Sequence, residues 1–207
     1  MAGEMVRAIL EGRKTQTRRI IKPQPYEDAK WGTVWEPRGK KPHSPSYSSR
    51  NVSWSPITEA FWDYYRNRGG TPYGVAGDRL WVRETWFDVR RWERETGLRS
   101  GVKENAQYRA DFDLPVESRV KWKPSIHMPR WASRITLEIT KVRVERLQDI
   151  SESDARAEGV HGQDLPMNGA RFNYSLLWDS LYGKGAWEQN PWIWAVAFQP
   201  IAAPLNS

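Results

Sequence analysis

The stretch Gly12 to Arg19, "GRKTQTRR", sets an amine and a hydroxyl three residues apart, Lys14 and Thr17, inside a run of arginines. It reads either as a solvated basic run after a helix, or as a place where a hydroxyl nucleophile and a proton acceptor work together. The second reading needs Lys14 to be neutral for part of the time. Bringing its pKa from about 10.4 to near 7 costs on the order of 4 to 5 kcal/mol of differential solvation or charge repulsion. Arg13, Arg18 and Arg19 are neighbours able to supply repulsion, and burial would supply more. A carboxylate paired tightly with Lys14 acts in the opposite direction and would leave the lysine as an electrostatic stabiliser. In a regular strand, residues three apart face opposite sides, so a shared site requires a bend between Lys14 and Thr17.

Other chemistries find less support. His43, His127 and His161 lie far apart with no H-x-x-x-H or histidine–carboxylate cluster, so no metal site is expected. No G-x-S-x-G elbow accompanies a Ser-His-Asp set. "GRKT" resembles the end of a phosphate-binding loop, but an arginine separates Gly12 from Lys14 and no upstream glycine has the right offset. The chain contains no cysteine, which excludes disulfides and thiol catalysis. No apolar run approaches the roughly 20 residues that span a bilayer, nor is there the apolar core of a signal peptide, so the chain is expected to be soluble, cytoplasmic and without a membrane partner.

The elements that must position Lys14 and Thr17 follow from patterning. Met5 to Glu11 predicts a short amphipathic helix closed by Gly12, and Thr15 to Ile21 an extended segment ended by "KPQP". Residues 26 to about 70, with four prolines and scattered Trp, read as an insertion that is partly helical over 57–70. "GDRLWVRETW" (77–86) predicts a strand with Leu80, Val82 and Glu84 on its inner face. Arg90 to Asn105 reads as a surface loop, and "QYRAD" (107–111) as a short strand. In "RITLEITKVRVERLQDI" (134–150) the alternation changes phase near Thr140-Lys141, which predicts a bend or bulge. "SESDARAEG" (151–159) predicts a helix with Ser151 as N-cap and Gly159 as stop. A second helix, over 172–185, would present Phe172, Leu176, Leu177 and Leu181, and "WIWAVAFQP" a buried strand stopped by Pro200. The 207 residues fit one α+β domain on a small antiparallel β-barrel.

Composition adds a partner class. The net charge of +7 and thirteen Trp favour polyanions with stackable faces, that is, single-stranded or looped nucleic acid. Arg18, Arg19, Arg83, Arg130 and Arg134 are candidates for a phosphate-facing rim, with Trp86 or Trp131 stacking on a base. For His127 the choice is between structure and substrate contact.

Gly12, Lys14, Thr17 and Arg19 also match the G-x-K-x-x-(E/T)-x-R signature, and the chain resembles the ASCH domains, a PUA-like β-barrel superfamily associated with RNA. "GDRLWVRETW", "ITLEITKVRVERL", "ISESDARAEG" and "WIWAVAFQPI" look like further parts of that pattern, in order, over about half of the chain. "EMVRAILEGRKTQTRR" and "PSIHMPRWASRITLEIT" resemble phrases of the ASCH proteins of bacteriophages and prophages. The resemblance implies a single PUA-like domain over 1–207, a small antiparallel β-barrel with peripheral helices and insertions at about 26–70 and 87–106. One branch is similar to the bacterial N4-acetylcytidine amidohydrolases, whose proposed catalytic set is Lys, Thr and Glu. Lys14 and Thr17 match its spacing, Glu158 falls where that branch places its glutamate, and Glu84 is a rival carboxylate. An amide carbonyl is a poor electrophile, so Thr17 would attack, Lys14 would take the proton, and the carboxylate would orient the lysine or pass the proton to the departing amine. The implied activity is removal of an N-acyl group from a modified cytidine, in a nucleoside or in RNA, without a cofactor. The alternatives are a non-catalytic RNA-binding module, an ASCH-type ribonuclease, and a phage accessory protein acting through protein contacts.

Overall fold

The apolar run at the end of the chain forms β8 (Trp192–Ile201), the strand around which the computed structural model is organised. The structure describes residues 3–28, 32–34, 65, 71–99, 101, 105–112, 121–160 and 169–201. β8 lies between β1 (Gln16–Ile20) and β7 (Thr136–Arg146), and β7 also pairs with β4 (Arg79–Trp81). All three pairings are antiparallel, in the order β1-β8-β7-β4, and the sheet curls into a half-barrel within a mixed α+β fold.

Both faces of β8 are covered, which is why its sequence is apolar throughout rather than alternating. Ile193 and Ala195 pack with Leu147, Ile150, Ala155, Tyr174 and Trp178 under α3 (Glu152–Ala157) and α4 (Ala170–Tyr182). Trp192, Trp194 and Val196 point the other way, into a cluster with Ile21, Tyr65 and Ile139. Helix α1 (Gly3–Leu10) inserts Val6 and Ile9 against Val82, Ile135, Leu137 and Phe198. Each such fully buried aliphatic side chain stabilises the fold by about 1.5–3 kcal/mol.

The expected phase change in the long strand is present. Ile139 pairs with Phe198 and Lys141 with Ala197, so Thr140 is extra and forms a bulge. Through it the inward set switches from Leu137 and Ile139 to Val142 and Val144.

Five expectations are corrected. The strand over 77–86 is shorter: β4 stops at Trp81, and Trp86 begins β5 (Trp86–Asp88), which pairs with β6 (Ala106–Tyr108), so "QYRAD" is strand only at its start and turns at Arg109–Asp111. The charged segment expected to be a loop contains α2 (Val89–Thr96), capped by Asp88, whose Oδ1 accepts from Arg91 N at 3.0 Å, and closed by Gly97 at φ 70°. Its capping and an Arg91–Glu95 pair form a helix with little apolar periodicity to announce it. In α4 the buried residues are Ala170, Tyr174 and Trp178, while Phe172, Leu176 and Leu181 are exposed. Phe172 and Leu176 lie two residues, about 200°, round the helix from Ala170 and Tyr174, and the larger aromatic stripe took the core. Lastly, β8 continues through Pro200, which pairs opposite Leu137 near the strand end, where one missing ladder donor is tolerated.

The segment 26–70 opens with a small hairpin, β2 (Tyr26–Asp28) and β3 (Gly32–Val34). The helix expected over 57–70 lies outside the described residues apart from Tyr65, whose ring meets Trp194 edge-on at 5.0 Å.

Candidate active site

The end of α1 delivers Lys14 to its partner. Gly12 adopts φ 72°, its N–H donates to Ile9 O at 3.0 Å, and the turn brings Lys14 N onto Ala8 O at 2.9 Å. Lys14 then forms an isolated antiparallel bridge with Glu158, and Thr15 N donates to Ala157 O at 2.8 Å. On the other side, α3 is capped at its start by Ser151, whose hydroxyl accepts from Asp154 N at 3.0 Å, and at its end by Glu158. Gly159 follows at φ 84°.

Gly159 is needed for two independent reasons. Its backbone is left-handed, and a Cβ there would lie 3.1 Å from Lys14 Cβ and 3.2 Å from Ala8 Cβ. Gly159→Ala is therefore expected to lose about 1–2 kcal/mol from backbone conformation, with added cost from crowding and a displaced Lys14. A thermal melt checks this, and an unchanged Tm would contradict it.

Lys14 is 4 % exposed and Glu158 is 4 % exposed. Lys14 Nζ donates to Glu158 Oε2 at 2.8 Å and to the Glu158 carbonyl at 2.7 Å, so among the described residues one ammonium N–H is left for another ligand. Glu158 Oε1 accepts from Arg18 Nη1 at 3.1 Å, which makes the carboxylate a bridge between two cations. Burial pushes the Lys14 pKa down, Glu158 pushes it up by charge and hydrogen bond, and Arg19 and Arg18 push it down again. The net direction is downward, because desolvation is the largest influence and the carboxylate's pull is shared with Arg18.

Arg18 sits beneath this pair with a fully buried side chain. Its Nε donates to Glu145 Oε1 at 3.1 Å, Nη1 to Gln16 and Glu158, and Nη2 to Glu145 and Asp154. These five bonds use all five guanidinium donors. Arg143 joins the same group through Glu145 and Asp154, giving three cations (Lys14, Arg18, Arg143) against three carboxylates (Glu145, Asp154, Glu158). At Asp154 burial pushes the carboxyl up, but Gln16, Arg18 and Arg143 outweigh it and the pKa falls below its ordinary value.

Thr17 takes the other face of β1, and among the described residues no hydrogen bond joins it to Lys14, so the direct meeting of the two expected from sequence is not formed. Gln16, Arg18 and Ile20 share the helix side, while Thr17 and Arg19 alternate onto the side of Val196 and Trp194, their register partners. Thr17 Oγ1 accepts from Arg19 Nη1 at 2.8 Å. Arg19 is thus the group tied to both expected catalytic residues: it holds the Thr17 hydroxyl and its charge lowers the Lys14 pKa.

The remaining candidates are placed elsewhere. Glu84 is 1 % exposed and faces inward as expected, but its carboxylate is held by Arg134 through two bonds of 3.0 Å, not by Lys14. Arg134 also binds Asp111 at 2.7 Å and lies 4.0 Å over the Tyr108 ring, so its fork is engaged internally and not offered to a phosphate. Burial raises the Glu84 pKa against the opposing effect of Arg134. Arg18 belongs to the interior network, which corrects its expected place on a phosphate rim. Trp86 is 2 % exposed and meets Trp131 edge-on at 5.5 Å, so Trp86 is core and Trp131, 57 % exposed, carries the outward ring. Arg83 lies 4.5 Å over Trp81 and Arg130 6.0 Å over the same ring, with exposed His127 on the neighbouring turn. His43 and His161 lie outside the described residues, and no group of three metal-ligating side chains occurs among the described residues.

Sequence reasoning missed Gln16, Arg143, Glu145, Asp154 and Tyr174. Tyr174 is 3 % exposed, its hydroxyl makes no hydrogen bond among the described residues, and burial followed by the Glu158 charge raises its pKa. The register sets Arg18, Arg143 and Glu145 on one face of β1 and β7, but nothing local in the sequence said that a helix would cover that face.

In comparisons with known proteins, no family model, curated protein or solved structure matches the chain. No helix among the described residues is long and apolar enough to cross a membrane.

Proposed function

We propose that the chain is an ASCH-type amidohydrolase on a PUA-like fold, removing an N-acyl group from a modified cytidine such as N4-acetylcytidine, with Lys14 as the proton acceptor. The observation that carries this reading is the buried Lys14 amine, fixed by the Glu158 carboxylate and carbonyl while that carboxylate is shared with Arg18, with burial the influence that draws the lysine pKa downward against Glu158. The curled antiparallel half-barrel with helices packed on one of its faces supports the fold part of the reading.

Thr17 Oγ1 bonds to the acyl carbon while its proton passes to neutral Lys14 by way of a water that spans the two groups; Arg19, which orients the Thr17 hydroxyl, is the cation that offsets the negative charge building on the acyl carbonyl oxygen. The amide C–N bond breaks, and protonated Lys14 returns its proton to the departing exocyclic amine. Water then hydrolyses the threonyl ester, releasing the carboxylic acid and restoring Thr17. Glu158 and Arg18 hold the lysine at the height and charge this requires. The site needs no cofactor for these steps.

Incubating the purified chain with N4-acetylcytidine, and separately with a short RNA carrying it, is expected to yield cytidine and acetate, followed by absorbance and by mass. Absence of turnover on both substrates would overturn the assignment. RNA shortened under the same conditions would assign a nuclease instead. A non-catalytic RNA-binding module is favoured by one observation, the outward Trp131 next to Arg130, which shares the Trp81 ring with Arg83, and it predicts affinity for RNA with no substrate consumed.

A further inference from the structure

Helix α2 carries a surface that the Lys14 site does not use. Its C-cap Gly97, at φ 70° with its N–H on Glu93 O at 2.9 Å, turns the chain so that Leu98 and Arg99 fold back beside the helix. The result is an open recess of about 580 Å³ lined by Arg90, Glu93, Arg94, Gly97, Leu98 and Arg99. Arg90 and Arg94 are four residues apart and so share one helical face, about 6 Å apart along the axis. All three arginines are exposed, and none is within ion-pairing distance of a carboxylate among the described residues. The neighbouring Arg91, by contrast, is paired with Glu95. Three guanidiniums against the single carboxylate of Glu93 leave the recess cationic, and Leu98, 59 % exposed, adds an apolar surface at its wall.

We infer that this recess binds the phosphodiester backbone of single-stranded nucleic acid. A row of forked donors at helical spacing meets successive phosphates, which recur every few ångström along a strand, whereas a lone small anion would use one arginine. An apolar side chain beside a cationic groove is the arrangement that receives an unpaired base next to its phosphate. The chain's charge of +7 adds attraction at longer range. The inference concerns backbone binding and stands whether or not Lys14 performs hydrolysis, so it is tested on unmodified RNA.

Fluorescence anisotropy with an unmodified single-stranded RNA, titrated over a range of salt, is compared between the wild type and the variant R90Q/R94Q/R99Q. The variant is expected to bind at least about tenfold more weakly and to show a salt slope shallower by about 2, at about 0.7 for each phosphate no longer neutralised. Inorganic phosphate and polyglutamate serve as competitors. Retained affinity and slope in a variant of unchanged Tm would overturn the inference, as would a lowered Tm with unchanged binding, which assigns the arginines to the helix end alone. Displacement of RNA by millimolar inorganic phosphate or by polyglutamate as readily as by a second RNA would overturn it as well, in favour of a single-anion site or an acidic protein partner.

Discussion

Lys14→Arg is expected to leave a folded protein that no longer deacylates, and the loss should be about a hundred- to ten-thousand-fold in kcat/KM, the range a positioned base supplies. Arginine keeps the positive charge and can still donate to the Glu158 carboxylate and carbonyl, which Lys14 contacts at 2.8 and 2.7 Å. It cannot give up its proton near neutral pH, so it separates a base from an electrostatic stabiliser. Retained activity in Lys14→Arg would sink the base role and leave the stabiliser role standing. In the wild type, kcat/KM should rise with pH through a pKa below the ordinary lysine value, because burial, Arg19 and Arg18 together outweigh Glu158. The same shift has a stability counterpart. Between the lowered folded value and 10.5 the unfolded chain binds a proton that the folded chain does not, so stability rises with pH across that window and is lowest, and level, below the folded pKa. Lys14→Met removes this dependence, and the difference between the two Tm-versus-pH curves measures it.

How much of this was legible beforehand depends on whether the deciding signal was local. The Thr140 bulge could be read from a change of phase within one strand, and the Ser151 cap and Gly159 stop from residue types at their own positions. Lys14 and Glu158, 144 residues apart in sequence, could be paired only through the ASCH resemblance, since no local pattern encodes a bridge between a helix exit and a helix end. Arg18 looked like part of a solvated run because nothing near it in sequence is acidic, and its carboxylates arrive from β7 and α3. Glu84 was correctly turned inward by alternation, yet its partner is Arg134, fifty residues on. In α4 two apolar stripes competed, and which one met β8 was settled by the Tyr174 and Trp178 rings packing on Ile193 and Ala195. The high Trp content suggested stacking surfaces, but Trp86, Trp178, Trp192 and Trp194 are core, and among the residues proposed for stacking Trp131 alone points outward.

Arg18→Met is expected to cost more than any loss of a rim arginine, about 3–5 kcal/mol, because it strips three carboxylates of a buried counter-charge at once. Glu145, Asp154 and Glu158 each hold one or two of the five bonds, and the Glu158 side chain is only 5 % exposed, so water cannot take the place of the guanidinium there. For a chain of this length, 1 kcal/mol moves Tm by about 2–4 °C, so a fall of roughly 6–20 °C should be read in a thermal melt. Arg18→Lys should recover little of it, since one ammonium cannot reach Gln16, Glu145, Asp154 and Glu158 in a planar fork. The same substitution should also be felt at Lys14. Arg18 lowers the lysine's pKa by its own charge and draws off part of the Glu158 carboxylate; without it both influences turn toward a protonated lysine. The pH at which deacylation switches on in Arg18→Met should therefore move upward, while Arg130→Met, which lies by Trp81, should leave that pH where it was. An Arg18→Met protein with wild-type Tm and an unmoved pH profile would mean that the network neither supports the fold nor tunes the base, and the proposed mechanism would lose the device that keeps Lys14 deprotonable beside a carboxylate.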